Sequence, residues 1–125
     1  MRKCWRRIAI TSDLTLADLA ESIRESVDFD DDHLDMFLYE NQFGRSIKVY
    51  HPFSDSEPQT DTVQIGNLPI SIGSSIKYIF DFGDWWEFKI ELEQIQPDDT
   101  RIDYVKILEH FGDAPEQYPD WNDEE

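Results

Sequence analysis

At 125 residues the chain has room for one domain with a real core and not for two ordinary ones. Its 28 acidic residues against 11 basic ones give a net charge of −17, which argues against non-specific nucleic-acid binding, since that binding draws on Lys and Arg. An aromatic share of 14% sets the chain apart from acidic disordered sequences, which are aromatic-poor, and the lone Cys4 excludes an internal disulfide and a thiolate metal cluster.

The first segment, Cys4 to Ile10, predicts a strand. It follows a basic start, Arg2, Lys3, Arg6 and Arg7, but the apolar run Ile8-Ala9-Ile10 is too short for the core of a signal peptide. No segment reaches membrane-spanning length, so the cytoplasm is the expected location. Thr15 and Asp18 then stand at capping-box spacing. Leu16, Leu19, Ala20, Ile23 and Val27 follow on one helical stripe, with Glu21, Arg24 and Glu25 on the other face, predicting a helix from Leu16 to Val27. The acidic run from Asp28 to Asp32 ends it.

Met36 to Glu40 and Ile47 to Tyr50 predict two strands around a turn at Asn41-Gln42-Phe43-Gly44. His51 to Asp61 predicts a polar surface loop, Val63 to Ile65 a short element, and Gly66 to Gly73 a turn or short helix. Arg101 to Leu108 fits strand alternation and helical spacing about equally. The domain is expected over residues 1–121, with a mobile acidic tail at 122–125. The fold class is α+β: one main amphipathic helix on a largely antiparallel sheet, with a long hairpin in the C-terminal half.

That hairpin, Ser75 to Gln94, is the most informative stretch. Trp86, Phe88, Ile90 and Leu92 alternate with Glu87, Lys89, Glu91 and Glu93; Ile76, Tyr78, Phe80 and Phe82 alternate with Lys77, Ile79 and Asp81. Opposite residues of an antiparallel pair share a face. A loop at Gly83-Asp84 alone would mix the faces. A loop at Gly83-Asp84-Trp85 pairs Phe82 with Trp86, Phe80 with Phe88, Tyr78 with Ile90 and Ile76 with Leu92, and a five-residue loop is expected to give the same register. Lys77 then faces Glu91, and Asp81 faces Glu87. Two opposed carboxylates need a counter-charge, and Arg6 or Arg7 is the expected source, with a metal ion or a basic partner as the alternatives.

Asp81, Asp84, Glu87 and His33 form the candidate carboxylate and metal cluster. Asp30-Asp31-Asp32-His33 carries cation-binding donors but lacks the spacing, Gly and closing Glu of an EF-hand. Asp81-Phe82-Gly83 matches the kinase magnesium motif as a string, with none of that fold's other motifs. Trp86 follows the core parity, whereas Trp85 lies in the loop; Trp85 and Trp121 are candidate interface anchors. His51 and His110 lack partners at ligand spacing, and Cys4 has no visible His partner for nucleophilic chemistry.

Three stretches resemble the plasmid pRiA4b ORF-3-like family, also described as insertion-element passenger proteins. They are Trp5-Arg6-Arg7-Ile8 with Leu14 to Leu19 and Asp30 to Leu34; Tyr78 to Glu87; and Gly112-Asp113-Ala114-Pro115-Glu116. The resemblance implies an α+β domain associated with plasmids and mobile elements. No constellation for a serine recombinase is visible. Relatives often carry a His where this chain has Asp35, a Trp-Glu-His where it has Trp86-Glu87-Phe88, and a carboxylate at the place of Trp85. They also begin with a strand before the Trp-Arg-Arg segment, for which only Met1 to Cys4 are available here. The first strand is therefore expected at a sheet edge, open to homodimer pairing.

Together these features point to a non-enzymatic acidic module that binds a protein through the hairpin tip. The alternatives are a metal-dependent hydrolase-like enzyme using a divalent ion at the carboxylate and His33 cluster, and a regulator whose acidic surface mimics DNA.

Overall fold

A computed structural model describes residues 4–96 and 105–118. In chain order it contains β1 (Trp5–Ile10), α1 (Leu16–Ser26), β2 (Asp35–Glu40), β3 (Ser46–Tyr50), a 3-10 turn (Ile65–Asn67), β4 (Ser75–Phe80), β5 (Trp86–Glu91) and β6 (Val105–Phe111). The fold is α+β. Every pairing of these strands is antiparallel, in one four-stranded sheet ordered β3-β2-β4-β5 and one two-stranded sheet of β1 and β6. The ambiguous segment is a strand from Val105 onward, and residues 101–104 lie outside the described residues. So do Trp121 and the expected tail at 122–125. No helix among the described residues is long and apolar enough to cross a membrane.

Helix α1 starts and stops by local chemistry. The Thr15 hydroxyl accepts from the Asp18 N–H at 3.2 Å, and Asp18 Oδ2 accepts from the Thr15 N–H at 2.9 Å, a complete capping box. At the far end the Asp28 N–H donates to the Glu25 carbonyl and the Phe29 N–H to the Arg24 carbonyl. This is a Schellman motif, with Asp28 at φ 61° in the place that favours glycine.

The core forms as parity and helical spacing predict. Phe37, Val49, Ile76, Tyr78 and Phe80 line one face of the four-stranded sheet and pack on Leu16, Leu19, Ala20, Ile23 and Val27 of the helix side. Trp86, Phe88 and Ile90 are half-buried against them. The acidic turn after α1 holds one further core residue, Phe29, with ring centroids 5.0 Å from Trp86 and 6.0 Å from Phe88. On the opposite sheet face Ile79, between Met36 and Glu87, is fully buried, although hairpin alternation alone places it toward solvent.

The hairpin register differs from expectation by two residues. Phe80 pairs with Trp86, Tyr78 with Phe88 and Ile76 with Ile90. The loop is Asp81 to Trp85, and both end residues take left-handed φ values, 66° and 59°. A five-residue loop centred on Gly83 keeps the face of every strand side chain but moves each partner by two. Phe82, expected inward opposite Trp86, therefore stands 45% exposed at the tip, and Asp81 is not opposite Glu87.

Among the described residues β1 pairs with β6 alone, so it does lie at a sheet edge. Ile8 and Ile10 turn toward the core. Trp5 stacks on Phe111 at the far end of the pair, with centroids 5.7 Å apart.

Candidate functional site

The residues suggested as one cluster separate into two groups. Asp81, 5% exposed, caps the hairpin tip: its Oδ1 accepts from the Gly83 N–H at 3.1 Å and the Asp84 N–H at 3.3 Å. Its Oδ2 lies 3.3 Å from His33 Nε2. The same ring nitrogen is 2.6 Å from the Tyr118 hydroxyl, which donates to Asp32 Oδ2 at 2.7 Å. That hydrogen bond, followed by loss of hydration and the nearby acidic charges, pushes the Tyr118 hydroxyl up to about 12. Asp84 shares the loop but is exposed. Glu87 belongs elsewhere: its carboxylate lies 3.5 Å from Lys77 Nζ on the outer sheet face. Lys77 itself stands opposite Lys89, not Glu91.

The expected arginine counter-ions are committed to other work. Arg6 donates to the Ser26 carbonyl at the C-terminus of α1 and to the carbonyls of Trp5, Phe111 and Gly112. A guanidinium there satisfies helix-end carbonyls and ties β1 to the chain after β6. Arg7 pairs with Glu93 at 2.7 Å and with Glu109. The cations beside Asp81 and Glu87 are instead His33, when protonated, and Lys77. Among the described residues no group of three His, Cys, Asp or Glu side chains is arranged to hold a metal.

The His33 end of the molecule brings together residues 30–34, the hairpin tip and the two residues, Gln117 and Tyr118, that follow the stretch ending at Glu116. Gln117, 9% exposed, holds the turn after α1 by accepting from the Asp30 N–H at 2.7 Å and donating to the Asp30 carbonyl and Asp32 Oδ1, each at 3.2 Å. The Asp81 N–H donates to the Leu34 carbonyl at 3.0 Å. The exit turn of α1, the hairpin tip and the segment after β6 thus meet at one place. Phe82 and Trp85 project from it, 45% and 49% exposed with ring centroids 6.3 Å apart.

A second polar group has no counterpart among the sequence candidates. Arg24, assigned by helical spacing to the polar face, is 8% exposed. Its Nη1 donates to Asp35 Oδ2 at 3.0 Å and to the Tyr78 hydroxyl at 2.7 Å, and Tyr78 donates to the same Asp35 oxygen at 2.7 Å. Asp35 Oδ1 is buried and has no hydrogen-bond partner among the described residues. Burial pushes the Asp35 carboxyl above its usual range, partly offset by the Tyr78 hydrogen bond and by the charges of His51 and Arg24. Burial, followed by the adjacent Asp35 charge, raises the Tyr78 hydroxyl strongly.

Beside this group lies a cavity of about 130 Å³ lined by Ala17, Ala20, Arg24, Asp35, His51 and Thr60, with Asp31 and Pro52 completing the wall. His51, unassigned in the sequence, accepts from the Phe53 N–H at its Nδ1 at 3.0 Å, which leaves Nε2 to carry the ring proton of the neutral form.

Helix, two antiparallel sheets and the motif-bearing end define a small α+β protein built around a hairpin whose tip is braced by Asp81 and His33. The model of the family described as Plasmid pRiA4b ORF-3-like protein matches residues 1–118, and the chain belongs to that family. A crystal structure of a protein of unknown function from Methanosarcina mazei Go1 is similar in fold, with a TM-score of 0.71 and 24% identity over 90% of this chain. This chain spans 63% of the length of that one. No curated protein matches at a significant level.

Proposed function

We propose that this protein is a non-catalytic binding module that presents the β4–β5 hairpin tip to a protein partner with a basic surface. The observation that carries the reading is the pair Phe82 and Trp85. Both are large, exposed and set on a loop braced by buried Asp81. Aromatic side chains on a rigid support lose little entropy on docking and supply large contact area. Asp84 lies between them in the loop, the acidic turn at residues 30–32 belongs to the same end of the molecule through His33 and Tyr118, and a chain of net charge −17 attracts a basic partner over a distance. Glu87, turned to Lys77, weakens the metal-enzyme alternative for the tip. The lone cysteine suits a reducing cytoplasm, and the plasmid link in the family's description directs the search toward partners encoded on mobile elements.

A photo-cross-linking residue at position 84 would identify the partner, and titration with that purified partner would then measure affinity. The double variant Phe82→Ala/Trp85→Ala should bind about tenfold or more weakly. Unchanged affinity for the double variant would remove the tip from the interface. Competition by duplex DNA for the same partner would favour the DNA-mimic reading of the acidic surface.

A further inference from the structure

We propose that the outer edge of β5 pairs, antiparallel and about a two-fold axis, with β5 of a second copy of this chain, joining the two four-stranded sheets edge to edge. β5 ends the sheet order β3-β2-β4-β5, and among the described residues no backbone hydrogen bond reaches Trp86–Glu91 from any element but β4. One row of its N–H and C=O groups is therefore open, and such a row is a template for another strand. The other edges are less suited. The pairing of β1 with β6 is broken by a register shift between Arg7 and Ile8, and β3 is bridged at Tyr50 by Gln59. β5 runs through its six residues with neither proline nor glycine and in unbroken register with β4.

Charge selects the second copy as the occupant. Trp86, Phe88 and Ile90 lie half-buried on the inner face, and Glu87, Lys89 and Glu91 are exposed on the outer one. A two-fold axis at Phe88 sets Phe88 opposite Phe88 of the second copy and Trp86 opposite Ile90 of the second copy, so each inner face stays inner. On the outer face the same register sets Glu87 opposite Lys89 of the second copy and Lys89 opposite Glu87 of the second copy, two attractive pairs. Moving the axis to Glu87 sets that carboxylate against its own copy. Moving it to Lys89 sets Lys89 against its own copy and Glu87 against Glu91. A slip of one residue turns the apolar row outward. The register centred on Phe88 also meets a charge left over within the chain. Lys89 stands directly opposite Lys77, whose ammonium is 3.5 Å from Glu87, and Lys89 itself has no ion pair among the described residues. The net charge of −17 on each copy opposes association at long range, and salt at about 0.15 M screens that repulsion beyond about 8 Å.

Sedimentation velocity of the full chain over a concentration series at about 0.15 M salt tests this. A reversible shift from monomer to dimer is expected. Lys89→Glu makes both outer pairs carboxylate against carboxylate, and Glu87→Lys makes both ammonium against ammonium. Each variant alone should raise the dimer dissociation constant about tenfold or more. Mixing the two variants restores opposite charges in both outer pairs, so the mixture should form a heterodimer at concentrations where neither variant pairs with itself. Both positions are exposed, and Lys89→Glu also replaces the repulsion from Lys77 with an attraction, so that variant keeps its fold while losing the dimer. A wild type that stays monomeric throughout the series would overturn the proposal. So would a dimer that both variants leave unchanged, or a mixture that associates no better than either variant alone.

Discussion

Asp35 and Tyr78 sit on a diagonal of neighbouring strands, Asp35 opposite Phe80 and Tyr78 opposite Phe37, and the Tyr78 hydroxyl donates to Asp35 Oδ2 at 2.7 Å inside the core. Arg24 closes the group from the helix. Polar atoms in such a place are stable only as a set, because each partner removed leaves another without compensation.

Arg24→Met should therefore cost about 3–5 kcal/mol, since it leaves the Asp35 carboxylate buried with the Tyr78 hydrogen bond to support it. Adding Asp35→Asn, which keeps an acceptor for Tyr78 and removes the charge, should recover part of that loss. Urea unfolding of the two single variants and the double variant checks this. Strictly additive costs would show that the two residues do not act together.

Asp35 also sets a pH dependence opposite to that of a paired surface carboxylate. Its folded pKa lies above its ordinary value of 3.8, chiefly through burial, so the folded state holds a proton that the unfolded chain has released. Between those two values stability falls as pH rises, and above the folded value the loss is complete. Glu93 works the other way: the Arg7 hydrogen bond holds its carboxyl below the usual range, so its contribution is present above the unfolded value and is lost as pH falls through the folded one. Unfolding midpoints of wild type minus Asp35→Asn, taken from about pH 4 to about pH 7, isolate the Asp35 contribution. The difference should shift against wild type as pH rises; a flat difference would mean that Asp35 is not raised.

Much of the fold was legible because it rests on local periodicity. Thr15 and Asp18 mark the start of α1, and alternation separates Tyr78 and Phe80 from Lys77. The register was less legible, since parity is unchanged by a step of two and the left-handed turns at Asp81 and Trp85 have no glycine to announce them. Arg24 was missed for a different reason. It follows Ile23 at the border of the apolar stripe, and its charge suggests solvent. The signal lay in β2, where Asp35 shares parity with Phe37 and so points a carboxylate into the core, and in buried Tyr78, whose hydroxyl needs a partner. Phe29 was hidden by the four aspartates around it.

At the hairpin tip the two roles of Asp81 can be separated by substitution. Asp81→Asn keeps an acceptor for the Gly83 and Asp84 N–H groups and suits a φ of 66°, and loses the charge and the acceptor oxygen that face His33. It should cost under about 1 kcal/mol. Asp81→Ala loses both hydrogen bonds and puts alanine in left-handed backbone, for about 2–4 kcal/mol. Thermal unfolding of both variants decides: equal losses would mean that the carboxylate charge, not the turn geometry, is what Asp81 supplies.

The end of α1 offers the opposite case, a position where the native residue is not the best one for stability. Asp28 occupies the glycine-favouring site of the Schellman motif at φ 61°, is exposed, and places negative charge at the negative end of the helix dipole. Asp28→Gly relieves the left-handed strain and removes the unfavourable charge, while the added freedom of the unfolded chain offsets part of the gain. The net effect should be a stabilisation of about 0.5–1 kcal/mol, read as a rise in the urea midpoint at neutral pH with an unchanged slope. Asp28→Asn, which tolerates the same backbone and loses only the charge, should give a smaller gain. If neither variant is more stable than wild type, the Asp28 carboxylate makes a favourable interaction that outweighs both terms.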